Sequence, residues 1–289
     1  MTTRSPYIIT GPAQICFSGG RTSGYMLKQI LDANGGLPPD VHVTFQNTGK
    51  EMPATLEFID ACAKAWGVPI RWLEWDGFIP PGRSSCFFKE VDFATASRAG
   101  EPFDAMTTAL GYLPNPTQRL CTANLKVKTG QAFMKSLGYE SWDNVMGIRA
   151  DEPSRIARMM KPGRDNSGGE PVLPLAIAGV TKRIVGDFWR QQPFDLGLRN
   201  DNGVTSEGNC DLCFLKGANQ VLSLIRKAPD RAIWWLEQEK KVAGIRNTGN
   251  AAFFRIDRPS YAQMHRNALN QSGMFSYDDE ALVDCMCGD

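Results

Sequence analysis

The stretch "CFSGGRTSGYML", residues 16–27, decides how the chain begins to fold. Just before it, Gln14-Ile15-Cys16-Phe17 reads as the end of a buried strand. After it, Tyr25, Met26, Leu27, Ile30 and Leu31 recur at helical spacing. Ser18, Gly19, Gly20, Arg21, Thr22 and Ser23 therefore occupy a strand-to-helix turn. Backbone N–H groups at a helix start have no intrahelical partner, and the helix dipole favours negative charge there. Glycines let a backbone approach an anion, hydroxyls add donors, and Arg21 adds charge. An ordinary turn capped by Ser18 or Thr22 fits the same letters, so the rest of the chain has to decide.

Working outward, strand and helix signals alternate. "QICFS" leads into the helix "SGYMLKQILDAN", which Gly35-Gly36 and Pro38-Pro39 stop. "VHVTFQN" is a second strand, "EMPATLEFIDACAKAWG" a second helix and "IRWLEW" a third strand. This order predicts an α/β fold: a parallel twisted sheet with right-handed crossovers and helices on both faces. "DNVMGIR" is expected to join the same sheet. The segment from Asp76 to Leu120 reads as loop with a short strand, "CTANLKVKTGQAFMKSLG" as a helix, and "KPGRDNSGGEP" (161–171) as a surface loop. We expect an α/β domain over residues 1–220 and a helical C-terminal extension with a cysteine-bearing tail over 221–289. His42, one of two histidines, reads as a strand residue.

The 289 residues hold 32 Lys and Arg against 31 Asp and Glu, a net charge of +1. A global polybasic signature of nucleic-acid binding is thus absent. No apolar run approaches a membrane span, and "MTTRSPYIITG" lacks the apolar core of a signal peptide. The expectation is a cytoplasmic protein with no membrane partner; a homodimer is compatible with the sequence.

In open α/β sheets, ligands bind outside the carboxyl ends of the strands, where the strand order reverses. "SGGRTS", "NTGKE" and "GIRADE" all fall at such ends, which points to a site for a nucleotide-sized anion. The GxGxxG fingerprint and the GxxxxGK[ST] loop are both absent. Taken together, "SGGRTS", "FQNTGKEMPATLEFI", "CTANLKVK" and "GIRADE" resemble the phosphoadenosine-phosphosulfate (PAPS) reductase group of the adenine nucleotide alpha-hydrolase-like, or PP-loop, superfamily. The resemblance covers roughly residues 10–215. It implies that Ser18 to Ser23 cradle phosphate, that Asn47-Thr48-Gly49 lie near the adenosine, and that Gly147 and Arg149 help bind the nucleotide. ATP-pyrophosphatase members usually carry Asp where this chain has Thr22, a departure that leans toward sulfonucleotide reduction.

Eight cysteines exceed what packing demands. "GNCDLCFLKG" sets Cys210 and Cys213 in a CxxC, which alone fits a redox dithiol, a zinc half-site or an iron–sulfur half-site. The resemblance to adenosine-phosphosulfate (APS) reductases implies a [4Fe–4S] cluster on Cys121, Cys210 and Cys213. Where that pattern has a Cys-Cys pair, this chain has Cys121-Thr122, so Cys285 of the tail is assigned as fourth ligand. Cys86 is a further candidate, and zinc on the same thiolates is the alternative. Cys287-Gly288 matches the Cys-Gly tail of those reductases, so Cys287 is assigned as the attacking thiol; the two tail roles are exchangeable. Cys16 and Cys62 read as packing thiols.

The implied reaction is attack of the Cys287 thiolate on the sulfur of APS or PAPS. Lys126 and Arg149 would offset charge at the reacting centre, with Lys128 among the nucleotide-binding residues. A thioredoxin- or glutaredoxin-like thiol donor would complete the turnover. Two other readings stay open. One is ATP-dependent sulfur insertion into nucleic acid, with Arg246, Arg255, Arg258 and Arg266 among aromatics as the best local contact surface. The other is a nucleotide-binding protein without turnover. Trp234 and Trp235 read as core anchors.

Overall fold

The computed structural model describes residues 4–162, 167–200, 205–208, 210–245 and 252–270. Six strands form one sheet: β1 (Ala13–Cys16), β2 (Val41–Gln46), β3 (Ile70–Phe78), β4 (Cys86–Val91), β5 (Trp142–Met146) and β6 (Gly169–Val172). Their order is β4-β3-β2-β1-β5-β6. All neighbours are parallel except β3 and β4, which pair as an antiparallel hairpin. The order reverses between β1 and β5, which puts a crevice at the carboxyl ends of those two strands.

Helix α1 (Arg21–Asn34) follows β1 directly, with Gly20 extended at its N-cap. Gly35, at φ 67°, closes it, because the left-handed conformation there suits a residue without Cβ. Helix α2 (Pro53–Trp66) starts on a proline whose missing N–H costs nothing in the first turn. These two helices and α7 (Lys182–Trp189) cover one face of the sheet, burying Ile15, Val43, Phe45, Phe58 and Trp189 in one cluster. Fully burying each such side chain contributes about 1.5–3 kcal/mol.

The other face carries α3 (Glu101–Leu110), a π-helical segment (Thr122–Lys128) and α4 (Thr129–Ser136), which continues it. The sequence "CTANLKVKTGQAFMKSLG" does form a helix, but its first half is wound wider than an α-helix. The Thr129 hydroxyl donates back to the Asn124 carbonyl at 3.1 Å. Beyond β5 come the short helices α5 (Pro153–Met159) and α6 (Pro174–Ile177).

Two expectations need correction. Residues 101–110 are a helix rather than loop, begun by Pro102 in the first turn and ended by Gly111 in the left-handed region. Part of the segment expected as surface loop, Gly169–Val172, pairs in parallel with β5 and closes that edge of the sheet. Helices α8 (Ala218–Lys227), α9 (Ile233–Ile245) and α10 (Tyr261–Leu269) lie in the C-terminal part of the chain. They share one hydrophobic cluster with Trp75 of β3 and with Phe103 and Met106 of α3. Trp235 is fully buried there, stacked on Tyr261 at 5.2 Å. His42 lies in β2 as expected, edge-on to Phe133.

Candidate nucleotide site

The turn after β1 is built by close packing. Gly19 has φ 78°, and a Cβ there would stand 2.7 Å from Thr55 and 2.8 Å from Ile59 of α2. The Ser18 and Ser23 hydroxyls are 3.0 Å apart, and Ser23 donates to the Gly20 carbonyl at 2.9 Å. Gly147, after β5, lets that strand's end approach the turn: its Cβ would lie 3.3 Å from Ser23 Cα. The first turn of α1 holds no acidic residue.

A cavity of about 160 Å³ opens at this junction and runs along the sheet face beneath the π-helical segment. Of the residues singled out in the sequence, Ser18, Ser23, Lys126 and Gly147 line it. Arg155 and Arg158 of α5 add two guanidinium groups to its wall. Lys126 stands 4.0 Å from the buried Glu51, while Arg155 pairs with Glu152. Three cations in the wall favour an anionic ligand.

Several predicted side chains serve the frame instead. Arg21 is 6% exposed and grips Asp195 with two nitrogens at 2.7 and 2.6 Å. It also donates to the Leu198 carbonyl and the Thr205 hydroxyl, so its guanidinium clamps the 195–205 segment and not a phosphate. Lys128 points away from the cavity, donating to Asn124 and to the Arg83 carbonyl beside the Phe78 ring. Arg149 pairs with Asp151 and donates to Thr22 at 3.0 Å, which ties the "GIRADE" loop to the turn. Asn47 donates to Glu74 and the Ser97 carbonyl, and Thr48 to Glu51, so both shape the loop after β2. Gly49 permits the contact of that loop with Gly100.

The residues missed by sequence reasoning lie on the strands themselves. Gln14, Cys16, Gln46 and Asn144 also line the cavity. Cys16 is therefore more than a packing thiol. It donates to Asn144 Oδ1 at 2.9 Å, and burial pushes its pKa up to about 12, which keeps it protonated.

Of the four cysteines assigned to a metal, Cys121, Cys210 and Cys213 are described and Cys285 is not. Among the described residues, no group of three or more His, Cys, Asp or Glu side chains is gathered to hold an ion. Cys210 and Cys213 are buried in one hydrophobic cluster with Cys86, and Cys121 packs against it. Cys210 faces the Thr48 hydroxyl at 3.5 Å and Glu51 at 4.0 Å. Cys285 and Cys287 lie outside the described residues. No step below passes through a cluster. The proposed phosphate-contact surface also loses support: Arg255 pairs with Asp257, and Arg258 donates to the Lys216 carbonyl and Tyr261. Arg246 lies outside the described residues. No described helix is long and apolar enough to cross a membrane.

No family model matches the chain. It is 30% identical over 211 residues to the uncharacterized nin region protein ORF290 of Escherichia phage lambda, covering 72% of this chain and 67% of that protein. A solved PAPS reductase from Candida auris, in complex with phosphate, superposes with a TM-score of 0.40 at 17% identity. The match covers 65% of this chain and 79% of that one.

Proposed function

We propose that this chain, which belongs to the family of the nin region protein ORF290 of Escherichia phage lambda, is an adenine-nucleotide-dependent enzyme of sulfur chemistry that reduces APS or PAPS to sulfite. The observation that carries the reading is the cavity itself. It lies where the strand order reverses, Ser18 and Ser23 of the turn before α1 line it, and three cations stand in its wall.

In this reading the substrate phosphate rests against the N–H groups of the turn, with the Ser18 and Ser23 hydroxyls beside it. Lys126 offsets the sulfonate charge that repels an incoming thiolate. Arg149 acts through Thr22 as a positioning residue that holds the turn in place. The Cys287 thiolate attacks the sulfonate sulfur, a sulfur–sulfur bond forms, and the bond from sulfur to the bridging oxygen breaks. Its electron pair leaves on the nucleotide phosphate. A dithiol of the thioredoxin or glutaredoxin class then attacks the Cys287 sulfur, sulfite departs with the bonding pair, and the dithiol closes to a disulfide. The sulfonate is thereby reduced by two electrons and the dithiol oxidised by two.

Parallel incubation with APS, PAPS and ATP, each with a dithiol, tests the proposal. Sulfite is expected from APS or PAPS, with none from the Cys287→Ser variant. Formation of AMP and pyrophosphate from ATP, with no sulfite from either sulfonucleotide, would overturn it. Four irons per chain in anaerobically purified full-length protein would restore the cluster; stoichiometric zinc would favour the alternative metal.

A further inference from the structure

Glu51, in the loop after β2, divides its two carboxylate oxygens between that loop and the cavity wall. Its side chain is 3% exposed. Oε2 accepts the backbone N–H of Thr48 at 3.0 Å and that of Lys50 at 3.2 Å. The Thr48 hydroxyl, 2.9 Å from both oxygens, donates to the carboxylate as well. Oε1 stands 4.0 Å from Lys126 Nζ and 4.0 Å from Cys210 Sγ. The thiol is closer to the Thr48 hydroxyl, at 3.5 Å, and the Lys50 ammonium lies over the Trp234 ring, 4.7 Å from its centroid.

The bonds that shape the loop do not call for a charge. A carboxamide oxygen in the place of Oε2 would accept the same two N–H groups. A buried carboxylate is costlier than an amide unless a cation answers it. Lys126, which lines the cavity, is a cation that Oε1 faces. It is carried by the π-helical segment Thr122–Lys128, a winding that recurs at functional sites. An ammonium on four flexible carbons loses much rotamer freedom when it is fixed in one place. Glu51, already held by three donors, can fix it without being reordered itself.

We propose that Glu51 is a positioning residue that holds the Lys126 ammonium in the cavity wall, where the substrate's sulfonate charge is offset. The inference rests on the sulfonucleotide reading of the cavity and adds to it a group that acts through another. The charge of Glu51 also has an effect of opposite sign. A carboxylate 4.0 Å from Lys126 weakens the pull of that cation on any anion. Glu51 therefore favours the placement of Lys126 at the expense of ground-state binding, and kinetics separate the two.

Sulfite release from APS or PAPS by the full chain is the measurement. Glu51→Gln should lower kcat about tenfold or more, while KM stays within about threefold or falls. In a Lys126→Met background the same substitution should change kcat by less than about twofold, because the group it positions is gone. Should the glutamine variant not fold, Thr48→Val, which removes the hydroxyl that fixes the carboxylate, should give the same split and the same coupling at smaller size. An unchanged kcat, or losses that multiply in the double variant, would overturn the positioning role while sulfite release by the unaltered chain keeps the reading of the cavity. No sulfite from the unaltered chain would overturn both.

Discussion

On one face of the central strands, Ala13, Ile15, Val43, Phe45 and Val145 meet α1, α2 and α7. One position along each strand, on the opposite face, stand Gln14, Cys16, Thr44, Gln46 and Asn144. Parallel sheets with helices on both sides usually read as continuous apolar runs. Here only one face does. The apolar face can contribute about 25 cal/mol per Å² of surface removed from water, whereas buried amides contribute little even when fully paired. The packed core thus lies on one side of these strands and the cavity on the other.

The sharpest way to break this division is to cut a large side chain from the apolar face. Phe58, 2% exposed and 4.9 Å from the Trp189 ring, is the place. Phe58→Ala is expected to cost about 3–5 kcal/mol in urea unfolding, read as a lower midpoint at unchanged slope. A loss below about 1 kcal/mol would mean that the two faces carry comparable weight. Gly130→Ala tests the other side. Alanine favours the helix, but its Cβ would meet the Gln14 amide nitrogen at 2.5 Å and that of Gln46 at 3.2 Å, both bonded to Thr44, so a loss of about 1–3 kcal/mol is expected in the same unfolding measurement.

The smallest effect separates two cysteines. Burial raises the thiol pKa of Cys16 to about 12 and raises that of Cys62 as well. Below its pKa the thiolate fraction grows tenfold per pH unit, so alkylation of Cys16 should keep climbing through pH 9 where an ordinary thiol levels off. AMP should slow modification of Cys16, in the cavity, and leave Cys62 of α2 unaffected, as read by peptide mass spectrometry. Equal protection of both would point to global tightening instead.

Much of this was legible in the letters. The run from β1 through β3 follows from apolar periodicity and from Gly and Pro at the helix ends, and the turn after β1 was placed correctly. β6 was not, because "GEPV" offers a glycine and a proline and becomes a strand only through pairing with β5. Side-chain roles fared worse. Arg21 and Lys128 looked like anion ligands because charge is visible in sequence, whereas their partners, Asp195 and the Arg83 carbonyl, are set by tertiary folding. The overlooked signal was polar residues two apart in β1 and β2, with another in β5, where apolar ones were due.

The Arg21 clamp also bears on the order in which the chain matures. The guanidinium sits at the start of the first helix, yet the carboxylate that neutralises it lies 174 positions later. A chain that ends before Asp195 lacks the carboxylate, the Leu198 carbonyl and the Thr205 hydroxyl that hold this guanidinium. The start of the first helix therefore gains its side-chain anchors only when translation is about two-thirds complete, and a truncated product loses them along with its missing end.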